Sequence, residues 1–255
     1  MAPKHPHAEW FLSAPVPHIL TALGSAYAVH LRDTPPGPPA EACDQPMPPS
    51  LHRAVPSRVR SYLGGRHCAA RGLAALAGVS PVSPPLTTGR GPFGAPQWPD
   101  GLTGSITHSS TLAIAVVTHT TTVHGIGIDC ERIMSAEAAD DIVARVLPEA
   151  DAVARRGDDA ARMPWPVFVT TVFSAKESIY KCLNPLNHLF FEFDAVALEW
   201  IDIAGGNMGF RVVSDLGAPV PVGSLLSARF CVDDEHVVTA VALSPRPAVP
   251  ARPTS

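Results

Sequence analysis

Apolar positions recur along this chain with two periods, and the changes from one to the other outline its elements. Over residues 58–77, Val59, Leu63, Ala70, Leu73, Ala74 and Ala77 fall at spacings of three and four, which predicts a helix with one apolar face. Gly64 and Gly65 interrupt it, each costing an isolated helix up to about 1 kcal/mol against alanine, so this helix is expected to need tertiary support. Residues 104–109, 112–119 and 123–130 carry β-branched side chains separated by Ser, Thr and Gly, as in a meander of antiparallel strands. A second helix is predicted over 136–155, with Ile142, Val146 and Leu147 as its apolar contacts. A third, over 166–183, is expected to stop at Asn184–Pro185, because a residue before proline is pushed out of the helical region. Strands return at 195–203, 209–213, 227–232 and 237–243. Helix then strands, twice over, predicts an α+β chain of two similar halves.

Composition narrows the class. The 255 residues suffice for one large domain or two of roughly 100–150. With 46% hydrophobic and 16% charged residues the chain is too apolar to be disordered and can bury a sizeable core. Of the 28 prolines, 17 fall in 33–50, 81–99 and 245–255, which are expected to be irregular. A net charge of −4 makes nucleic acid an unfavourable partner. Apolar runs such as 112–117 are far shorter than the ~20 residues of a membrane helix. Pro3, Pro6, Pro15 and Pro17 break up any leader-like run, and five scattered cysteines form no CxxC pair, so a cytoplasmic protein with free thiols is expected.

Charge is unevenly spread. Residues 51–110 hold six arginines and one acid, whereas 111–160 hold nine acids and four arginines. Folding the two together would set a cationic wall beside carboxylates, an arrangement suited to a polyphosphate held partly through a divalent metal; two solvated faces that never meet are the plainer alternative. Within the acidic part, GIGIDCE (125–131) alternates so that Asp129 and Glu131 share a strand face about 7 Å apart, with Cys130 opposite. Such oxygen donors select hard ions such as Mg²⁺ or Mn²⁺, unless the pair merely marks a strand exit. In FSAKESIYK (173–181), Glu177 and Lys181 are i,i+4 neighbours, as are Lys176 and Tyr180. Glu177 is a candidate third ligand or general base and Lys181 a phosphate contact, against a surface ion pair of ~0.3–0.5 kcal/mol. His108, in a strand of the WPDGLTGSITHS block (98–109), is either a structural histidine or a donor to phosphate. Arg58 and Arg66, roughly two helical turns apart, can reach one elongated anion.

Together GRHCAARGLAAL (65–76), WPDGLTGSITHS, GIGIDCE and FSAKESIYK, in this order, resemble the 4′-phosphopantetheinyl transferases, in particular the pseudodimeric Sfp-like and enterobactin-synthetase-component-D-like group. The likeness runs from about residue 53 to 243. It implies two α+β halves with antiparallel sheets and packed helices, 1–120 and 121–244, followed by a proline-rich tail over 245–255, with coenzyme A in the cleft between the halves. It implies Mg²⁺-dependent transfer of phosphopantetheine from coenzyme A to a serine of an acyl, aryl or peptidyl carrier protein, by a cytoplasmic monomer. Asp129, Glu131 and Glu177 would hold the metal, Glu177 would also activate the serine, and Lys181 and Lys176 would meet phosphates. Arg58, Arg66 and His108 would hold the 3′-phosphate and pyrophosphate end of coenzyme A. Arg90 stands where some relatives have a phosphate-binding lysine, in a segment (GRGPFGAPQWP) that departs from the commoner REPxWP form. A metal-dependent phosphoanhydride hydrolase and a non-catalytic coenzyme A or carrier-protein binding module are the competing readings.

Overall fold

The computed structural model describes residues 11–31, 48–78, 89–91, 94–148 and 162–245. Strands β1 (Phe11–Ser13) and β2 (Ser25–Leu31) flank the short helix α1 (His18–Thr21) and precede the long helix α2 (Pro56–Ala77). Next come a two-residue ladder, β3 (Gly89–Arg90) with β4 (Pro96–Gln97), and the strands β5 (Leu102–His108), β6 (Leu112–His119) and β7 (Gly125–Arg132). Helices α3 (Ala136–Val146) and α4 (Trp165–Asn187) lead into β8 (Val196–Asp202), β9 (Asn207–Val212), β10 (Leu225–Val232) and β11 (His236–Leu243). Two antiparallel sheets result, ordered β1-β2-β6-β5 and β7-β11-β10-β9-β8. Among the described residues no helix is long and apolar enough to cross a membrane.

Three apolar clusters tie the elements together. One lies between α2 and the first sheet, around Val59, Leu63, Ala69, Ala113 and Ala115. Another lies between α3, α4 and the second sheet, around Phe168, Val172, Ile179, Leu198 and Phe210. The third joins the halves: Leu112, Ile114 and Val116 of β6 meet Ile126, Ile128 and Cys130 of β7 and Val238 and Ala240 of β11. Strand β6 is therefore buried on both faces, which is why it reads as an unbroken apolar run rather than an alternating one.

Three expectations need correction. The meander does not form: β5 and β6 pair, but β7 leaves for the second sheet and pairs with β11. The cause is β2, a strand that the pattern of apolar positions did not reveal, which takes the other edge of β6. The helix begun at 136 ends at Val146, where Leu147 departs from helical geometry just before Pro148; the remainder of its predicted span, from 149, lies outside the described residues. Helix α4 runs through Pro185 to Asn187. Pro185 sits in the last turn, where its missing N–H deprives only one carbonyl, and the buried Asn184 holds the helical path by donating Nδ2 to the Leu189 carbonyl at 2.9 Å. Of the proline-rich segments, 33–47, 81–88, 92–93 and 246–255 lie outside the described residues.

Candidate active site

Helix α4 lies directly on β7 because β7 offers it glycine. A Cβ at Gly127 would overlap the Ser178 carbonyl and the Cys182 nitrogen, so only glycine lets the two backbones approach this closely. Thr239 on β11, the cross-strand partner of Asp129, fixes where along β7 the helix sits. Its hydroxyl lies 2.7 Å from Ser178 Oγ and 2.9 Å from Ser174 Oγ, and its carbonyl accepts from Ser178 Oγ at 3.2 Å. With the helix so placed, Glu177 and Lys181 overhang the end of β7 that carries Asp129 and Glu131.

Asp129 is buried, and Lys181 Nζ donates to its Oδ1 at 2.6 Å. The Lys181 side chain remains 29% exposed, so its ammonium is within reach of a ligand. A residue of the other half completes the group. Thr107 on β5 donates to Asp129 Oδ1 (3.1 Å) and accepts from the Cys130 N–H (3.0 Å) and from Lys181 Nζ (3.3 Å), which uses the one donor and two acceptor sites of a hydroxyl in full. Two residues earlier, Ser105 Oγ accepts from the Ile128 N–H at 3.0 Å. The edges of the two sheets thus meet through side-chain hydroxyls rather than a backbone ladder. The second carboxylate oxygen of Asp129, Oδ2, is buried without a hydrogen-bond partner. A buried, unsatisfied anionic oxygen is costly and calls for a cation.

The electrostatics agree. Burial, reinforced by the Asp129 and Glu177 carboxylates and opposed by Lys181, pushes Glu131 up to about 7. Glu177 is raised by burial and by Asp129, against the pull of Lys181 and Arg145. Burial works to lower Lys181, but Asp129, Glu177 and Glu131 outweigh it and the ammonium is held above its ordinary value. His108 is lowered by burial and by the neighbouring Lys181 and Arg58 cations. Acids that resist ionisation therefore share one neighbourhood with Lys181, Arg58 and His108. Among the described residues no three His, Cys, Asp or Glu side chains form a ready metal cage. In this ligand-free arrangement Lys181 is the cation that Asp129 holds.

The remaining candidates divide. Arg58 is exposed in the first turn of α2, beside His108. Arg66 is buried, its guanidinium 5.2 Å from the Tyr62 ring centroid, so the two arginines do not present the same open face that their spacing suggested. Lys176 is buried, donates Nζ to the Phe193 carbonyl at 3.0 Å and lines the cavity beside Glu177. Arg90 belongs to β3, and its side chain lies outside the described residues. Beside Glu177 opens a cavity of about 290 Å³ whose walls include Tyr180, Phe190, Phe191, Phe193 and Arg145. Thr107, Ser105 and Arg145 were not singled out from the sequence. For the first two a signal existed, since hydroxyl residues two apart on a strand face one way.

Two family models match, one described as the N-terminal domain of 4′-phosphopantetheinyl transferases over residues 48–118, the other as the 4′-phosphopantetheinyl transferase superfamily over residues 125–240. Among curated relatives, enterobactin synthase component D of Salmonella typhimurium is 36% identical over 134 residues, covering 52% of this chain and 52% of that protein. The alignment thus spans about half that relative's length. The 4′-phosphopantetheinyl transferase Svp of Streptomyces mobaraensis is 34% identical, with 75% of each chain covered. The transferase PptT of Mycobacterium tuberculosis is 33% identical over 78% of this chain and 86% of its own. Identity at this level over three quarters of two relatives, on a chain whose paired acids and Lys181 meet at the junction of two α+β halves, places the protein in the 4′-phosphopantetheinyl transferase superfamily.

Proposed function

We propose that this protein transfers the 4′-phosphopantetheine arm of coenzyme A to a serine hydroxyl of an acyl, aryl or peptidyl carrier protein and releases adenosine 3′,5′-bisphosphate. The observation that carries this reading is the buried Asp129 with its unpartnered Oδ2, flanked by Glu131, Glu177 and Lys181 of its own half and facing Arg58 and His108 across the seam between the halves. Asp129, Glu131 and Glu177 are oxygen donors of the kind that holds Mg²⁺, and the unsatisfied Oδ2 fits them to that task. Bound there, Mg²⁺ would offset charge on the pyrophosphate oxygens.

The chain's own groups do the rest. Lys181 exchanges Asp129 for a pyrophosphate oxygen, placing an ammonium where negative charge grows as the phosphoanhydride breaks. Arg58 and His108 hold phosphate on the side of the first half, with Arg66 behind them. Glu177, held above its ordinary carboxylate range, receives the serine proton directly or through one water. The cavity beside Glu177, with aromatic walls at Tyr180, Phe190, Phe191 and Phe193 and polar groups at Arg145, Lys176 and Glu192, suits the amide-bearing pantetheine arm. Both halves of the site lie on one chain, which supports a monomer. The four described cysteines are unpaired, as suits the reducing cytoplasm.

The test is incubation with coenzyme A, Mg²⁺ and an apo carrier protein, followed by mass spectrometry of the carrier. A phosphopantetheine adduct on serine is expected, and Asp129→Ala should abolish it while the circular dichroism spectrum is kept. Bisphosphate release that needs no carrier would instead identify a hydrolase, and binding of coenzyme A without turnover a binding module.

A further inference from the structure

One buried titratable group joins the halves without belonging to the acid and cation group described above. His236, the first residue of β11, is buried, and its Nε2 lies 3.2 Å from Ser109 Oγ and 3.0 Å from Thr111 Oγ1, both in the turn between β5 and β6. These contacts bridge 127 and 125 residues of sequence and reach the residue that follows His108. Ser109 Oγ already accepts two backbone N–H bonds, from Thr111 (3.3 Å) and Leu112 (3.1 Å). Its lone pairs are thereby taken, and the one proton it has left points at Nε2. An unprotonated Nε2 would accept that proton, with Thr111 Oγ1 beside it, and would leave the ring proton on Nδ1, 3.8 Å from Asp233 Oδ1. Asp233 anchors the other end, accepting from the backbone N–H of Glu235 (2.8 Å) and of His236 (2.7 Å).

We propose that His236 is a positioning residue: as a neutral imidazole accepting at Nε2, it pins the β5–β6 turn of the first half, and with it Thr107 and His108, to β11, the strand that carries β7 and its acids. The charged and titratable groups around it are Asp233 and Glu235 on its own turn, Arg132 on β7 and His30 on β2. Burial, Arg132 and His30 outweigh the two acids, which favours the neutral ring. The pin acts on the site through Ser109, which continues β5 directly from Thr107 and His108, so its loss should loosen the phosphate-holding side more than the chemical step.

The kinetic part rests on the proposed transfer, and the test separates the two. In the full-length protein labelled with ¹⁵N-histidine, His236 should show the Nδ1–H tautomer at pH 7.5; an Nε2–H tautomer or an imidazolium overturns the proposal whatever the protein transfers. His236→Ala should bind coenzyme A about tenfold more weakly by calorimetry and raise its KM similarly, with kcat within about twofold. His236→Gln, which returns an acceptor near the Nε2 position, should recover most of the loss, and Thr111→Val should weaken binding about threefold. A fall in kcat at unchanged KM, following loss of folded protein in all three variants, would mean a structural role only and would overturn the proposal. Should His236→Ala fail to fold, the tautomer and the Gln and Val variants decide. Absence of transfer by the wild type, with the tautomer and calorimetric results as expected, would sink the proposed function and leave the pin standing.

Discussion

Helices α2 and α4 each cover a sheet, but they reach it by opposite means. In the first half the glycines are on the helix: a Cβ at Gly64, Gly65 or Gly72 would crowd side chains of Leu31, Ile106 and Val117 on the strands below. In the second half they are on the strand, where Gly125 and Gly127 of β7 admit a helix that keeps its full complement of side chains. The difference decides where chemistry can be placed. The helix that gives up side chains to approach its sheet presents Arg58 from its exposed first turn. A helix received by glycines can hold Glu177 and Lys181 directly over the strand that bears Asp129.

Exchanging the small residues gives the largest expected effect. Gly127→Ala sets a methyl group against the backbone of Ser178 and Cys182, which cannot rotate away. The helix must lift, at a cost of about 3 kcal/mol or more, with Lys181 drawn off Asp129. Gly65→Ala meets the γ-methyl of the β-branched Ile106 rather than backbone, so Ile106 must shift. The gain in helix propensity offsets only part of that, and the net cost should be about 1–2 kcal/mol, less than for Gly127→Ala. Urea denaturation of both variants checks this. Equal losses would show that the two helices are seated alike.

The crowded acid of the second half and the histidines lowered by burial should also respond oppositely to pH. Glu131 is raised from 4.5 to about 7, so the folded state binds its proton more tightly than the unfolded chain does. Stability from this group is present at acid pH and is lost as pH rises through about 4.5 to 7, by up to about 3 kcal/mol. His108 is lowered from 6.5, so the unfolded chain takes up the proton first and stability falls as pH drops below that value. Thermal melts across pH 5 to 8 without metal should therefore decline at both ends. Glu131→Gln should flatten the alkaline limb, and His108→Gln should reduce the acid limb, to which His236 adds in the same direction. An unaltered alkaline limb in Glu131→Gln would show that the acids are not crowded.

At the seam the contrast between the halves disappears, since Thr107 of one serves Asp129, Cys130 and Lys181 of the other. Thr107→Val leaves the Cys130 N–H and Asp129 Oδ1 each short of a partner, at about 1–3 kcal/mol, and should slow transfer; Thr107→Ser should restore both. Loss of stability with transfer unchanged would make Thr107 mortar between the sheets and nothing more.

What the sequence disclosed follows from range. The helix α2 with Val59, Leu63, Leu73 and Ala74 on its buried face, the alternation in β7 and the strands β8 to β11 are local patterns, and they were legible. Within α2 the spacing draws the face too wide at Ala77, which is exposed, and misses the buried Cys68 and Ala69. The partner of β7 was not, because it depends on β2 claiming the edge of β6, a choice that the intervening residues do not encode. Asp129, Glu131, Glu177 and Lys181 could be singled out because each lies in a short recognisable block, and the fold brings these side chains together. Thr107 lies in such a block too, but its role exists only once β5 and β7 are side by side. The burial of Lys176 against the Phe193 carbonyl was not legible, because it depends on a turn that packs on α4 only once the chain has folded.

The smallest prediction concerns how the two helices end. Both close on a residue in the left-handed region, Gly78 at φ 65° after α2 and His188 at φ 56° after α4, and each donates its N–H back to the last turn. Glycine adopts that conformation freely, whereas a residue with a Cβ is strained there by about 1 kcal/mol. His188 is exposed, and its backbone N–H, which bonds the Asn184 carbonyl at 2.9 Å, is unaffected by substitution. His188→Gly should therefore stabilise the protein by somewhat under about 1 kcal/mol, the relief of strain being partly offset by the greater freedom of glycine in the unfolded chain. Gly78→Ala should destabilise by a similar amount, because nothing crowds a Cβ there and only the dihedral angle opposes it. If both substitutions left the denaturation midpoint unmoved, the helix ends would not be held in this geometry in solution, and the line that the second cap draws from Asn184 into the aromatic wall at Phe190 and Phe191 would have to be set aside.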